Sequence, residues 1–184
     1  MFQIKLFQSI SLIILTILIT SCTNNNSMKP EDFNNKEPRL IIEEYLNGNV
    51  KAWGILQNRS GKVIRQFSAD LDGNWDGQHL ILDEKFNWDN GEIQTRKWKI
   101  KKIDNHNYEG TADDVVGTAK GFSYGPAFKF EYVLLVPVKG KNMKITFDDW
   151  IFLQDKNVAI NRAKMTKFGF KVAELTVFFY KEIN

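Results

Sequence analysis

Apolar and polar residues alternate along most of the chain from residue 39 onward, and turn residues recur at short intervals. Alternation with a period of two is typical of strands that bury one face. Turn sequences such as Asp89-Asn90-Gly91 separate the segments. The pattern predicts strands at 49–57, 62–72, 78–86, 93–103, 107–112, 115–123, 127–137, 142–153, 157–166 and 171–181. Residues 41–46 fit either a further strand or one helical turn.

This pattern predicts an all-β fold, because the globular part contains no helical period longer than two turns. We expect about 8–11 antiparallel strands in a closed barrel or a sandwich, and closure would remove the exposed sheet edges. A barrel of this size can hold a small ligand. A membrane-spanning barrel is the rival, but it needs apolar side chains on its outer face. Lys97, Lys99 and Lys101 occupy the outer face of strand 93–103, which argues against that rival.

The first 22 residues are organised as a targeting segment. Lys5 precedes an apolar stretch at 10–19, which is half the length that a membrane-spanning helix needs. The stretch leads to Ile19-Thr20-Ser21-Cys22, which resembles the bacterial lipobox. In that signal the cysteine receives a diacylglyceryl thioether and becomes the N-terminus after cleavage. The resemblance implies a lipoprotein signal peptide at 1–21 and lipid attachment at Cys22, whereas the rival interpretation is an ordinary secretory signal.

The residues after this signal predict a tether and a location. Residues 22–38 lack an apolar period and contain Pro30 and Pro38, so we expect a lipidated N-terminus and a flexible tether there. The β-barrel domain is then expected at 39–184. Thr23 stands where an aspartate would resemble the inner-membrane retention signal. We therefore expect a cell-envelope protein that is lipid-anchored to the outer membrane and faces the periplasm, with that membrane as a partner.

Composition and charge exclude several classes of function. The chain has 184 residues, with 25 basic and 22 acidic side chains and a net charge of +3, which is no nucleic-acid footprint. A single cysteine permits neither an intrachain disulfide nor a cysteine-rich metal site. The two histidines lack metal-ligand spacing, and no Gly-x-Ser-x-Gly elbow is present. We therefore predict no cofactor, no metal, no nucleic-acid partner and no assignable catalytic residue.

The informative residues are charged side chains on faces that are otherwise apolar. They are Arg65 in 62–72, Glu84 in 78–86, Arg96 beside Trp98 in 93–103, Asp149 in 142–153 and Arg162 in 157–166. A guanidinium suits buried pairing with carboxylate or phosphate, and a buried charge without a partner costs several kcal/mol. These residues predict either an internal ion-pair network, with Glu174 as a further member, or an arginine that receives the acidic head group of a lipid or other amphiphile.

Several motifs resemble those of the bacterial lipoprotein family called domain of unknown function 3833. They are WGILQNRSGK at 53–62, GNWDG at 73–77, LDEKF at 82–86, RKW at 96–98, YEGTADDVVGTA at 108–119, FDDW at 147–150 and NRAKMTKFGF at 161–170. The resemblance covers nearly all of 40–181 in the same order. It implies a lipobox-bearing envelope protein with a lipocalin-like antiparallel β-barrel, and it implies no activity.

Three functional hypotheses follow from these features. The preferred one is a non-enzymatic envelope lipoprotein whose barrel binds a lipid or other amphiphile, in transport or membrane maintenance. It predicts an interior cavity of a few hundred Å³ lined by aromatic residues, with an arginine at one end. The second is an enzyme acting on lipid-derived substrates, with Asp149 or Glu84 as acid or base near Arg96 and Arg162. The third is a periplasmic scaffold that docks a partner protein through an exposed apolar patch.

Overall fold

The computed structural model of the protein describes residues 27–138 and 140–182. Cys22, the predicted signal peptide at 1–21 and the first residues of the predicted tether lie outside this part of the chain, so those expectations stay predictions. Within the described residues, no helix combines the length and the apolar character that crossing a membrane requires.

Ten strands follow a short N-terminal segment that contains a 3-10 helix (Pro30–Phe33) and one helical turn, α1 (Ile42–Tyr45). The strands are β1 (Gly48–Asn58), β2 (Val63–Trp75), β3 (His79–Trp88), β4 (Ile93–Lys102), β5 (Asn107–Thr111), β6 (Ala119–Tyr124), β7 (Ala127–Val138), β8 (Lys141–Leu153), β9 (Val158–Lys167) and β10 (Phe170–Tyr180). Each lies within a few residues of a predicted strand, because the alternation and the turn residues mark both their faces and their ends.

The strands form a closed antiparallel barrel in which each one pairs with its neighbours in sequence. The first and last strands complete the ring, from Lys51 opposite Tyr180 to Asn58 opposite Ala173. The prediction of an all-β, antiparallel barrel is thus confirmed, with ten strands and with closure rather than a sandwich. Because the ring closes, every described strand has a neighbour on both sides for at least part of its length.

This topology gives the barrel two distinct ends. The hairpins β1–β2, β3–β4, β5–β6, β7–β8 and β9–β10 lie at one end, which we call the upper end, because consecutive strands run in opposite directions. The remaining turns and α1 lie at the lower end. Leu40, Ile42 and Leu46 around α1 are buried in the main apolar core and close the lower end. Residues 41–46 therefore resolve as a helical turn, not as a strand.

A buried acidic residue fixes this lower closure. Glu43 of α1 is only 4% exposed. Its carboxylate accepts a hydrogen bond of 2.9 Å from the Tyr108 hydroxyl and one of 2.5 Å from the Lys102 ammonium. Both partners lie on barrel strands, so the pairing anchors α1 to β4 and β5. Lys102 shares the inward face of β4 with Arg96, and Glu43 supplies the counter-charge that its ammonium needs there.

The barrel wall has a gap at the upper end, between β4 and β7. Strands β5 and β6 are short, and the last paired positions at their upper ends are Lys99 opposite Thr111 and Lys120 opposite Glu131. The loop 112–118 fills the space above them. Its backbone pairs with β7 through Val116 N–H to Val133 O and Leu135 N–H to Asp114 O, both at 2.8 Å. The predicted strand 115–123 is thus wrong in its first part, which is loop with one bridge from Val115 to Leu134.

Candidate functional site

The barrel interior contains a cavity of about 110 Å³ above α1. Its lining is mostly apolar and includes Phe67, Phe86, Trp98, Phe130 and Tyr132, while Glu84, Arg96, Asp149 and Asn161 supply the polar groups. The prediction of a cavity lined by aromatic residues with an arginine agrees with this lining. The predicted volume of a few hundred Å³ is wrong, since the cavity is smaller than the roughly 150 Å³ that accept one benzene.

Aromatic rings that lie against glycines account for the small volume. A Cβ atom on Gly54 would lie 2.3 Å from the ring of Phe67, and one on Gly110 would lie 2.5 Å from the ring of Phe130. These glycines have no side chain, so the tips of the two rings reach the backbone at these positions and the rings occupy the interior. The remaining space is a narrow chamber.

Arg96 of β4 holds the polar side of the cavity. Its Nε and Nη2 donate to both carboxylate oxygens of Asp114, at 2.8–3.0 Å, in a bidentate pair. Its Nη1 lies 3.7 Å from Oε2 of Glu84 on the adjacent strand. The side chains of Arg96 and Glu84 are 14% and 13% exposed. Arg96 therefore joins the loop 112–118 to the inner face of the barrel.

Glu84 is the unusual member of this group. Its Oε2 is buried and has no hydrogen-bond partner among the described residues. Burial raises the pKa of Glu84 to about 7, because desolvation outweighs the attraction of Arg96. A carboxyl group in this state exchanges between neutral and charged forms near neutral pH. It can accept a hydrogen bond from a group in the cavity, and when protonated it can donate one.

Asp149 of β8 forms a second polar cluster on the cavity wall. Its Oδ2 accepts a hydrogen bond of 2.8 Å from Tyr132, and its Oδ1 accepts one from the amide of Asn161. Burial raises the pKa of Asp149 to about 6, although both hydrogen bonds oppose the shift. The pKa of Tyr132 is raised well above its ordinary value by burial and by the Asp149 charge. Both oxygens of Asp149 are thus occupied by protein donors.

The structure brings together Glu84, Arg96, Trp98 and Asp149, but it places Arg65 elsewhere. The guanidinium of Arg65 lies near the upper end, 4.0 Å from the centre of the Trp88 ring. It donates to Asn90 and Glu92 in the β3–β4 turn. Its inward-facing position was predicted, but it does not line the cavity. Arg65 therefore fixes a hairpin end and is no part of the cavity site.

The inward assignment of Arg162 is wrong. Its side chain is 63% exposed and pairs with Glu174 on the outer face of β10. The small residues Ala159 and Ala163 face inward on β9, together with Asn161, and all three are buried. The sequence prediction chose the face with Val158 and Ile160 because they are larger and more apolar. Aromatic rings from other strands fill the interior at this height, so only small side chains fit there.

Three further residues of the site were missed in the sequence. Asp114 lies between the predicted strands 107–112 and 115–123, so no face of a strand marked it as a partner of Arg96. Tyr132 follows Phe128 and Phe130 at a spacing of two, so the alternation could have placed it inward. Asn161 was assigned to the outer face together with its alanine neighbours. The partners of a buried charge depend on which strands meet across the barrel, and one strand's pattern does not contain that information.

The polar groups of the cavity wall include two carboxyl groups, one amide and one arginine that is already paired. No cluster of three metal-ligating side chains exists among residues 27–138 and 140–182. Two carboxyl groups with raised pKa and one arginine give the cavity little net positive charge. Arg96 is already paired with Asp114. The buried polar atom of the cavity that is left without a hydrogen bond from the described residues is therefore Oε2 of Glu84.

Known structures with a similar fold are distant in sequence. A protein of unknown function of the DUF3598 family from Nostoc punctiforme is 14% identical, with a TM-score of 0.57, over 80% of this chain. The chain spans only 51% of the length of that relative. The S-type phycobiliprotein lyase from Guillardia theta is 7% identical, with a TM-score of 0.55, over 77% of this chain and 92% of the lyase. At these identities the likeness shows a shared barrel fold alone.

Comparison of the sequence with known proteins and with family models shows to which family the chain belongs. No curated protein matches the chain. The model of the family described as "Protein of unknown function (DUF3833)" matches residues 16–181, which include all ten strands of the barrel. This is the family whose motifs the sequence resembles. The chain therefore belongs to the DUF3833 family of proteins of unknown function.

Proposed function

We propose that the barrel binds one small, largely apolar molecule with a single neutral polar group, such as an alcohol-type amphiphile, in the interior cavity. The observation that carries this proposal is Glu84 Oε2, which is buried at the cavity and has no hydrogen-bond partner among the residues that the structure describes. Buried polar atoms are nearly always hydrogen-bonded, so one without a partner marks a place for an outside donor. The aromatic lining supplies the apolar contact.

The arginine supports a neutral rather than an acidic polar group. Arg96 already binds both oxygens of Asp114 and lies near Glu84. An anionic head group would have to displace Asp114, and it would also lie near Glu84 and Asp149, which repel it when ionised. A hydroxyl group meets no such repulsion. We therefore favour a ligand with a neutral hydroxyl group over the ligand with an acidic head group that the sequence analysis considers.

The size of the cavity supports a single chain. About 110 Å³ accommodates only a few carbon atoms, so a longer molecule needs additional space. The loop 112–118 is the part of the wall that can supply it. Backbone hydrogen bonds hold this loop on the β7 side, whereas the pair Arg96–Asp114 holds it to β4. We infer that ligand entry displaces this loop from β4.

The proposal includes a setting for this binding. The lipobox resemblance at Cys22 supports a lipid-anchored protein of the outer membrane that faces the periplasm, where lipids and their derivatives are at hand. The shared fold of the phycobiliprotein lyase supports a barrel that serves small molecules, at the level of analogy. Transport or maintenance of membrane components fits both points. A scaffold without a cavity fits them less well, since the interior holds one.

Calorimetric titration with decan-1-ol and with decanoate at pH 8 tests the proposal. We expect the alcohol to bind at least about tenfold more tightly than the carboxylate, because Glu84 is largely ionised there. The variant Glu84→Met removes the acceptor and should weaken binding of the alcohol by about tenfold. Asp83→Asn, on the outward face of the same strand, is the matched control and should bind normally. Equal affinities for both probes, or no binding of either, would contradict the proposal.

One observation favours a second function, catalysis on a bound amphiphile. Glu84 and Asp149 have pKa values raised to about 7 and about 6, and both line the cavity. Carboxyl groups with such pKa values serve as general acids or bases near neutral pH. Incubation of the protein with ester and amide derivatives of fatty acids, followed by mass spectrometry, tests this. Turnover that disappears in both Glu84→Gln and Asp149→Asn would support an enzyme.

A further inference from the structure

The upper end of the barrel exposes two phenylalanines at the tip of the β9–β10 hairpin. Phe168 is 89% exposed and Phe170 is 72% exposed. The turn between the strands has positive φ angles at Phe168 (51°) and Gly169 (82°). Two-residue hairpin turns of this kind favour Asn-Gly, and a bulky aromatic residue in the left-handed region is uncommon. The chain thus exposes the ring of Phe168 to water, and it holds this residue in a backbone conformation that bulky side chains disfavour.

The neighbouring hairpins continue the apolar surface. In the ring of strands, the β9–β10 hairpin lies between the β7–β8 and β1–β2 hairpins. Val138 of the former, and Val63 and Ile64 of the latter, are 38–49% exposed. We call the ends of these three hairpins the upper rim, comprising residues 57–64, 136–138, 140–144 and 165–174. Exposed apolar residues on three adjacent hairpins at one end of a protein indicate a contact surface.

The upper rim is also strongly basic. It contains Arg59, Lys62, Lys141, Lys144, Lys167 and Lys171. Its one carboxylate is Glu174, which pairs with Arg162 and Lys171. The ammonium of Lys167 lies 5.3 Å from the centre of the Phe168 ring. The acidic residues of the upper end belong to the hairpins on the other side of the barrel, where Asp89, Glu92 and Asp113 lie.

We propose that the upper rim docks on an anionic lipid bilayer. Phe168 and Phe170 enter the boundary between head groups and acyl chains, and the surrounding lysines contact the phosphate groups. Aromatic tips flanked by Lys or Arg are typical of interfacial membrane contacts, because long basic side chains keep their charge in water while their stems lie on apolar surface. Phe168 projects from a convex tip, and a protein partner would need a matching deep pocket to bury it. A lipid surface adapts to it.

The rim lies at the opposite end of the barrel from the first residues that the structure describes. The described chain begins beside the lower half of the barrel, where Phe33 packs on Trp150 and Phe152. Gly125, in the lower turn between β6 and β7, lies close to Phe33 O and Lys36 O. The rim is at the opposite end. A test must therefore detect membrane contact at the rim itself and not overall attachment to vesicles.

A fluorescent label at the tip provides such a local signal. The full chain with Cys22→Ser and Phe168→Cys is labelled with the environment-sensitive dye NBD. Phosphatidylcholine vesicles with and without phosphatidylglycerol are then added. We expect a blue shift and an intensity gain of about twofold or more with the anionic vesicles, and a loss of the gain at high salt. The same dye at Lys156→Cys, in the lower turn between β8 and β9, is the control and should not respond.

The outcomes separate the proposal from its alternatives. Lys167→Glu in the labelled chain should weaken the response by several-fold, while circular dichroism shows an intact fold. An equal response with neutral vesicles would overturn the assignment to anionic lipid. Equal responses at positions 168 and 156 would also overturn the proposal, because they indicate attachment through another part of the chain. No response at 168 on either vesicle would overturn it in favour of a protein contact.

Discussion

Arg96 and Asp114 form a bidentate ion pair that joins β4 to the loop 112–118 across the gap in the barrel wall. The two side chains are 14% and 31% exposed. On the opposite side, backbone hydrogen bonds fasten the same loop to β7. The loop is therefore attached along one edge by backbone hydrogen bonds and along the other by a single side-chain ion pair. Such an element can open without loss of the barrel.

Asp114→Asn should loosen this loop. The substitution removes the charge and one of the two acceptor oxygens, and we expect a loss of about 1–2 kcal/mol in the free energy of unfolding. Amide hydrogen exchange at 112–118 should accelerate, while exchange in β7 and β8 stays unchanged. Asp113→Asn, at the exposed neighbouring position, is the control and should leave exchange as it is. Equal acceleration in both variants would mean that the ion pair does not hold the loop.

The two arginines of the predicted ion network should behave differently. Arg96→Met leaves Glu84 and Asp114 without their partner in a buried setting, and we expect a loss of about 3 kcal/mol at pH 8. At pH 6 the loss should be smaller, because neutral Glu84 needs no counter-charge. Arg162→Met removes an exposed pair with Glu174 and should cost less than about 1 kcal/mol. Urea unfolding of both variants at the two pH values measures this. Similar losses would contradict the assigned locations.

The barrel was largely predictable because its determinants are local. Alternation fixes the face of each residue, and turns such as Asp89-Asn90-Gly91 fix where strands end. The inward positions of Glu84, Arg96 and Asp149 followed from the same rule. The rule failed on β9, because it ranks faces by the size of apolar side chains. The barrel interior there needed the small side chains of Ala159 and Ala163.

The partners of the buried charges could not be predicted from local pattern. Asp114 reaches Arg96 because β5 and β6 are too short to fill the wall, which is a property of the whole ring. Tyr132 and Asn161 meet Asp149 only after three strands are aligned in register. The aromatic packing that reduces the cavity to about 110 Å³ likewise depends on rings from different strands. Contacts between distant segments decide the site.

The raised pKa of Glu84 predicts a pH dependence of stability with a definite sign. Its ordinary pKa is 4.5 and its pKa in the folded protein is about 7. The folded state therefore binds more protons than the unfolded state between these values, and stability falls as the pH rises from about 4.5 to 7. Asp149, raised from 3.8 to about 6, adds a fall of the same sign over a lower range. Glu84→Gln should flatten the upper part of this dependence.

Urea unfolding between pH 4.5 and 8 measures this dependence in the wild type, in Glu84→Gln and in Asp83→Asn. The control Asp83 is exposed and pairs with Lys97 on the outer face. We expect the wild type and the control to lose about 5 kcal/mol over this range, and Glu84→Gln to lose about 2 kcal/mol. An unchanged slope in Glu84→Gln would show that another group causes the pH dependence. A rise of stability with pH would reverse the assigned sign.

Gly54→Ala should change the shape of the cavity, because Gly54 lies in the barrel wall against the ring of Phe67. The new Cβ would lie 2.3 Å from two ring atoms of Phe67, so the ring must move into the interior. We expect a loss of about 1–3 kcal/mol in the free energy of unfolding and weaker binding of decan-1-ol, because the displaced ring takes up cavity space. Phe67→Leu removes the clash, so the double variant should be more stable than the sum of the single losses predicts. Additive losses in this cycle would mean that Gly54 acts through backbone freedom and not through the contact with Phe67.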